Sequence, residues 1–376
     1  MAKCYSARRG LWMCLVFAAA MTARAEVPKA SAPRVPKLSP QKSGTTSRLQ
    51  AVSVVSGSVV WASGTGGTFA VTTNGGTSWR SGVVPGTEGL QFRDVQGISA
   101  KVAYLLAAGA GPNSRVFRTD DGGSTWALQL TNQEPSGFFD CFAFFSPKRG
   151  LLMTDSVKGR FPMMRTTDGA TWADVGDRMP PALPGEAAFA ASGTCIATHG
   201  GKWAWVATGG AKARVLSTDD SGKTWTAAEA PVGGQAESAG GISIAFRDAQ
   251  HGVLGGGGLD TADSSKTFAR SGDGGKSWQL GAPTPFPGPV YGITYACGRT
   301  PEARFDDPRH EGDEPKADCS RSRVVATGPG GTAWSGDEGA SWKMVEEVDG
   351  YWSVGFANPS TGWLVGTEGR ILRMDF

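Results

Sequence analysis

The chain has 376 residues, with 37 Lys and Arg against 34 Asp and Glu, a formal charge of +3, and only 19% charged residues beside 55 glycines and 13 tryptophans. Such a composition suits short strands joined by tight turns and excludes a fold of long charged helices. The positive excess belongs to residues 1–25, which hold Lys3, Arg8, Arg9 and Arg24 and no acid, so the remainder stands at +3 − 4 = −1 and offers no basic surface for nucleic acid.

Residues 1–25 combine a basic start, an apolar run at 11–21 and the small-residue ending Ala23-Arg24-Ala25. This is the layout of a cleavable secretory signal, with cleavage expected after Ala25. Arg8-Arg9 also fits a twin-arginine signal, but adjacent arginines are common in ordinary ones. Cys14 lies inside the apolar run behind bulky Trp12 and Met13, unlike a lipoprotein cysteine. Export implies a periplasmic or secreted protein with no transmembrane segment after cleavage. Residues 26–48 carry four prolines and five basic residues and read as an extended linker.

From residue 49 the chain repeats itself. Residues 119–126, Thr-Asp-Asp-Gly-Gly-Ser-Thr-Trp, recur at 72–79, shortened at 166–172, and again at 218–225, 271–278 and 335–342, with tryptophans spaced 47, 46, 53, 53 and 64 residues apart. A period of this size marks one supersecondary unit used repeatedly. In the fifth copy an alternating run at 242–246 is followed by further short apolar runs on both sides of the turn, which predicts four antiparallel strands per unit. The fold class expected is therefore all-β: a seven-bladed propeller with blades at 49–82, 90–130, 137–175, 187–231, 239–281, 290–345 and 351–376. The last blade is one strand short. A closed ring leaves no open edge, so the segment at 35–42 is expected to donate the missing outer strand.

The pattern Ser/Thr-x-Asp-x-Gly-x-Ser/Thr-Trp, with Asp121, Asp220, Asp273 and Asp337 at the acidic position, resembles the Asp-box or bacterial neuraminidase repeat. Asn74 replaces the acid in the first copy, and Asp168 is displaced in the third. Over residues 49–376 the chain is most similar to propellers of the photosystem II stability/assembly-factor type, and more distantly to sialidases and xyloglucanases. The resemblance implies a propeller and, from its first group, a binding or assembly role. It departs from sialidases, because the Arg-x-Pro of the propeller is Arg160-Phe161-Pro162 in blade three rather than near the start. The boxed aspartates recur once per blade, too far apart to converge on one substrate. They are expected to accept hydrogen bonds from their own turn, with Gly supplying positive φ and Trp packing between blades.

Strand alternation puts the boxes on one face, and the interblade loops and second-to-third-strand loops on the other. His199, His251 and His310 fall on the box face, and no metal-ligand spacing or dinucleotide fingerprint occurs, so no metal or cofactor is expected. The glycine run at 255–258 is expected in a second-to-third-strand loop. Around the opposite mouth the candidates for hydrolysis are Asp140, Asp155 and Glu186, since paired carboxylates are what glycoside hydrolysis uses. Arg160, Phe161, Phe92, Arg93, Tyr291, Tyr351 and Trp352 are the candidates for binding. Against the enzyme stands an Asp155–Arg160 pair across a hairpin and a loop cap by Glu186. The charged insertion at 299–322 in blade six is bracketed by Cys297 and Cys319. Four cysteines outside the signal allow three pairings, of which Cys297–Cys319 and Cys141–Cys195 are expected. The reading is an exported, monomeric binding propeller for a protein or glycan, with a glycoside hydrolase as the alternative.

Overall fold

Runs such as Ala103-Tyr104-Leu105-Leu106-Ala107 and Val60-Trp61-Ala62-Ser63-Gly64 lack polar alternation, and strands of that kind need apolar cover on both faces. They get it by standing between neighbouring blades. A computed structural model describes residues 35–234, 236–297, 319 and 322–376; the segment expected to be a signal, most of the blade-six insertion and His310 lie outside them. The described chain forms seven four-stranded antiparallel sheets. They are the blades of a β-propeller.

The inner strands are Leu49–Val54, Phe92–Gly97, Phe139–Ser146, Ile196–His199, Ala239–Phe246, Gly292–Tyr295 and Tyr351–Phe356. Each of them packs against the next, and Tyr351–Phe356 packs against Leu49–Val54, so the ring closes. Among the described residues seven apolar clusters occur, one for every pair of adjacent blades. The core is thus distributed around the ring, while outer strands such as Arg80–Val83 and Thr226–Glu229 are largely exposed.

Blade seven takes its outer strand from the start of the domain. Lys37–Gln41 pairs antiparallel with Ile371–Asp375. Leu38 packs on the cluster between blades six and seven, and Trp79 Nε1 donates to Gln41 Oε1 at 2.8 Å. The closing strand therefore completes one blade and holds the next.

Two sequence expectations are corrected by this topology. Residues 255–258 are not a loop but part of the strand Gly252–Gly258, because Ala239–Gly241 extends the pairing beside them; an added Cβ at Gly256 would meet the Gly240 backbone. Blade four's first strand begins at Ile196 rather than near 187. The residues before it travel inward, as described below.

The repeated turns lie between third and fourth strands and consume their own acids. Asp121 Oδ1 accepts from the Ser124 and Thr125 amides, each at 2.9 Å, and Oδ2 from Thr125 Oγ1 at 2.6 Å. Asp220, Asp273 and Asp337 are held the same way. Positive φ at Gly122 (77°) and Gly123 (87°) makes the loop possible.

Removal of residues up to 43 would leave the Ile371–Asp375 edge unpaired. The shortened chain is expected to melt about 5–10 °C lower and to self-associate through that edge, as measured by thermal unfolding and light scattering.

Candidate functional site at the channel mouth

Five inner strands carry a β-bulge near their start, after the first paired residue in blades one, two, three and seven and after the third in blade five. The extra residues are Gln50, Arg93, Asp140, Ile242 and Trp352. In blade six Tyr291 and Gly292 both face Thr327, which puts Tyr291 in the equivalent position. A bulge turns one side chain out of the pleat. Here it takes them out of the interblade clusters, at the strand ends on the face opposite the repeated turns.

Three sequence candidates meet there: Arg93, Tyr291 and Trp352. The Tyr291 and Trp352 rings lie 4.8 Å apart between centroids, and the Arg48 guanidinium sits 4.5 Å from the Trp352 ring. Arg93 donates to Gln91 Oε1 from Nε and Nη2, at 3.2 and 3.1 Å, and to the Ala190 carbonyl from Nη1 at 3.3 Å. Burial and the neighbouring Arg48 charge both hold the Arg93 pKa below its usual value. Gln50 is 1% exposed, and neither of its amide atoms has a partner among the described residues.

The channel is crossed by residues 187–193, from the connection between blades three and four. Ser192 Oγ donates to the Tyr291 carbonyl at 2.5 Å, and Ser353 Oγ donates to the Ser192 carbonyl at 3.2 Å. The Ala188 amide donates to Asp155 Oδ1 at 3.2 Å. These contacts reach blades three, six and seven, and Arg93 adds blade two. The disulfide Cys141–Cys195, with Cα atoms 6.0 Å apart, fixes the end of the segment to blade three; Cys297–Cys319 closes the base of the blade-six insertion.

Asp140 and Asp155 are also brought together. Asp140 is 1% exposed, and its Oδ2 has no partner among the described residues. Burial, reinforced by the Asp155 charge, raises the Asp140 pKa well above the carboxylate range. Burial pushes Asp155 up to about 6, against the Ala188 amide and the Asp140 hydrogen bond, which pull it down. Asp94, which sequence reasoning missed, is a third buried carboxyl on the blade-two inner strand. It is raised by burial and accepts from the Phe142 amide at 2.8 Å.

The remaining candidates lie elsewhere. Glu186 is buried against Arg214, accepts Thr208 Oγ1 at 2.6 Å and caps its loop by accepting the Leu183 amide at 2.8 Å. Arg160 pairs with Asp174 and Asp177 at 2.9 and 3.1 Å, not with Asp155. Phe161 and Phe92 are 0% exposed and belong to the interblade core. Tyr351 is buried too, with the Arg370 guanidinium over its ring. A groove of about 410 Å³ on the box face is lined by His251, Arg270, Asp273 and Glu338 among others, but Asp273 serves its own turn and Glu338 is held by Tyr295 and Arg247.

Glycosidase carboxyls stand roughly 5–10 Å apart with sugar or water between them; here Asp140 is 1% exposed and Glu186 is held by Arg214, Thr208 and the Leu183 amide. Among the described residues no group of three metal-ligating side chains converges.

No protein-family profile and no curated protein matches the chain. Solved structures do. YCF48 bound to a D1 peptide aligns over 92% of this chain and 98% of its own at 16% identity, with a TM-score of 0.53. YCF48 from Cyanidioschyzon merolae aligns over 90% and 98% at 14% identity, with a TM-score of 0.58. The WD40 propeller domain of Doa1 aligns over 90% and 96% at 11% identity, with a TM-score of 0.51. At these identities the likeness is one of fold.

The buried acids set a pH dependence. A carboxyl whose folded pKa lies above its ordinary value of 3.8 gives stability that is complete below about pH 4 and lost as the pH rises through the folded value. For Asp155 that loss runs from about pH 4 to about pH 6, and burial of Asp94 and Asp140 acts in the same direction. The midpoint of thermal unfolding is expected to fall by about 3 °C between pH 5 and 7.5. Asp155→Asn should remove the part of the fall between pH 5 and 6; parallel curves for the two proteins would contradict this assignment.

Proposed function

We propose that this protein is an exported, non-catalytic Asp-box propeller that holds an extended segment of a partner protein over the channel mouth. The observation that carries the reading is the cluster of Arg48, Arg93, Tyr291 and Trp352 on the mouth, with the nearby carboxyls withdrawn into the wall. Two guanidinium groups beside two aromatic rings suit a peptide bearing carboxylates: the arginines provide charge-assisted hydrogen bonds, and the rings offer flat apolar area. The similarity in fold to a propeller that carries a D1 peptide supports peptide binding over glycan binding. The signal at residues 1–25 supports a periplasmic or secreted site of action, and the pattern of the repeated turns supports the Asp-box family.

Capture from an array of extended peptides tests this reading. Binding should concentrate on acidic peptides and weaken at least about tenfold in Arg48→Gln, Arg93→Gln and Trp352→Ala, since each removes a desolvated anchor. A glycan panel should give no hydrolysis with the intact protein. Turnover that disappears in Asp140→Asn or Asp155→Asn would instead establish the hydrolase.

A further inference from the structure

Two residues of the crossing segment hold three members of the mouth cluster. The Ala190 carbonyl accepts from Arg93 Nη1 at 3.3 Å. Ser192 Oγ donates to the carbonyl of Tyr291 itself at 2.5 Å, and the Ser192 carbonyl accepts at 3.2 Å from Ser353 Oγ, next in sequence to Trp352. One serine thus ties the chain that carries Tyr291 to the chain that carries Trp352, whose rings lie 4.8 Å apart.

The Ser192 hydroxyl is itself fixed from behind. Its single proton goes to Tyr291, so Thr194 Oγ1, at 2.6 Å, must donate to it, and Ser243 Oγ, 2.6 Å from Thr194, must donate to Thr194. Ser243 in turn accepts the Ile293 amide at 2.9 Å. The relay therefore leaves blade six at Ile293 and returns to it at Tyr291, with every donor assigned. A chain of this kind polarises along its length. Ser192 and Ser243 are 2% and 0% exposed, so loss of either hydroxyl leaves a buried partner unpaired. The segment is anchored at both ends, by Glu186 on Arg214 and by the Cys141–Cys195 disulfide. Gly193, with φ 73°, lets it pass close to Asp94, whose Oδ1 an added Cβ would strike.

We propose that the crossing segment is the template of the mouth and that Ser192 is a positioning residue for peptide capture, fixing the Tyr291 and Trp352 rings as one preformed apolar surface beside Arg93. The proposal rests on the preceding reading that the mouth binds an extended acidic peptide. Side chains already held in place lose less entropy on binding, so the segment contributes affinity without touching the ligand.

Fluorescence polarisation with a labelled hexapeptide of alternating aspartate and leucine, on the full chain, tests this through a double-mutant cycle. Ser192→Ala should weaken binding about fivefold; in a Tyr291→Ala background the same substitution should cost less than about twofold, because no ring remains to be placed. Ser353→Ala paired with Trp352→Ala repeats the cycle from the other tie should Ser192→Ala fold poorly. Ser53→Ala removes a hydroxyl that accepts the Gly97 amide at 3.0 Å between blades one and two, and should leave affinity unchanged. Unaltered affinity in both Ser192→Ala and Ser353→Ala, equal losses with and without the rings, or an equal loss in Ser53→Ala overturns the template; the peptide reading then stands if Arg48→Gln and Arg93→Gln still weaken binding. Absence of binding by the unsubstituted protein, or binding indifferent to both arginine substitutions, overturns the peptide reading and the template together.

Discussion

The ring depends on a repeated clamp between adjacent blades. A large side chain in the second strand of one blade reaches the turn of the next: Trp205 Nε1 donates to the Gly274 carbonyl at 2.8 Å, and Tyr104 Oη to the Gly169 carbonyl at 2.9 Å. In the first pair of blades the clamp is aromatic, with Trp126 edge-on to Phe69 and Trp61 at 5.2 and 6.2 Å. Each turn must therefore present bare backbone and a close-packed glycine to its neighbour, and Gly123 lies against Phe69 for this reason. The aspartate at the tip keeps that backbone in shape by accepting its amides. Without it the carbonyls that Trp205 and Tyr104 need would not face the right way.

Where the clamp recurs it fixes neighbouring blades in nearly the same way, and variety lies where the strands depart from regularity. The bulges at the head of the inner strands are such a departure, and they sort the residues around them. The residue before each bulge enters the interblade core: Leu49, Phe92, Phe139 and Tyr351 are all buried. The bulged residue instead stands outside it. A scaffold that repeats its core can thus vary Gln50, Arg93, Asp140, Tyr291 and Trp352 at equivalent positions without altering the interblade clusters, none of which includes them.

The same sorting explains how far the sequence could be read. Repeat period, strand alternation and turn chemistry are local signals recurring in register, so blade number, strand count and the role of the boxed aspartates are legible. A bulge has no one-residue signature. Phe92 and Arg93, or Tyr351 and Trp352, look equally eligible as rim residues until pairing shows which is extra. Phe161 is indistinguishable from a rim aromatic because its burial comes from residues of the next blade. Arg48 falls in the stretch that reads as linker, because charge and proline nearby mask its position at the head of a strand. Asp94 reads as an ordinary alternating polar residue. The inward course of residues 187–193 depends on partners in blades two, six and seven, more than ninety residues away in the cases of Ala190 and Ser192, and no local pattern announces it.

The pairing of Lys37–Gln41 with Ile371–Asp375 bears on how the fold is reached as well as on how it is held. Contacts within a blade are short-range and can form as each repeat is made. The closing pair spans more than 300 residues, and its loop-closure entropy is met only once, at the end. Until then both flanking blades keep an unshielded face. Ring closure is thus the long-range step of assembly, and a chain interrupted before it keeps an unpaired edge.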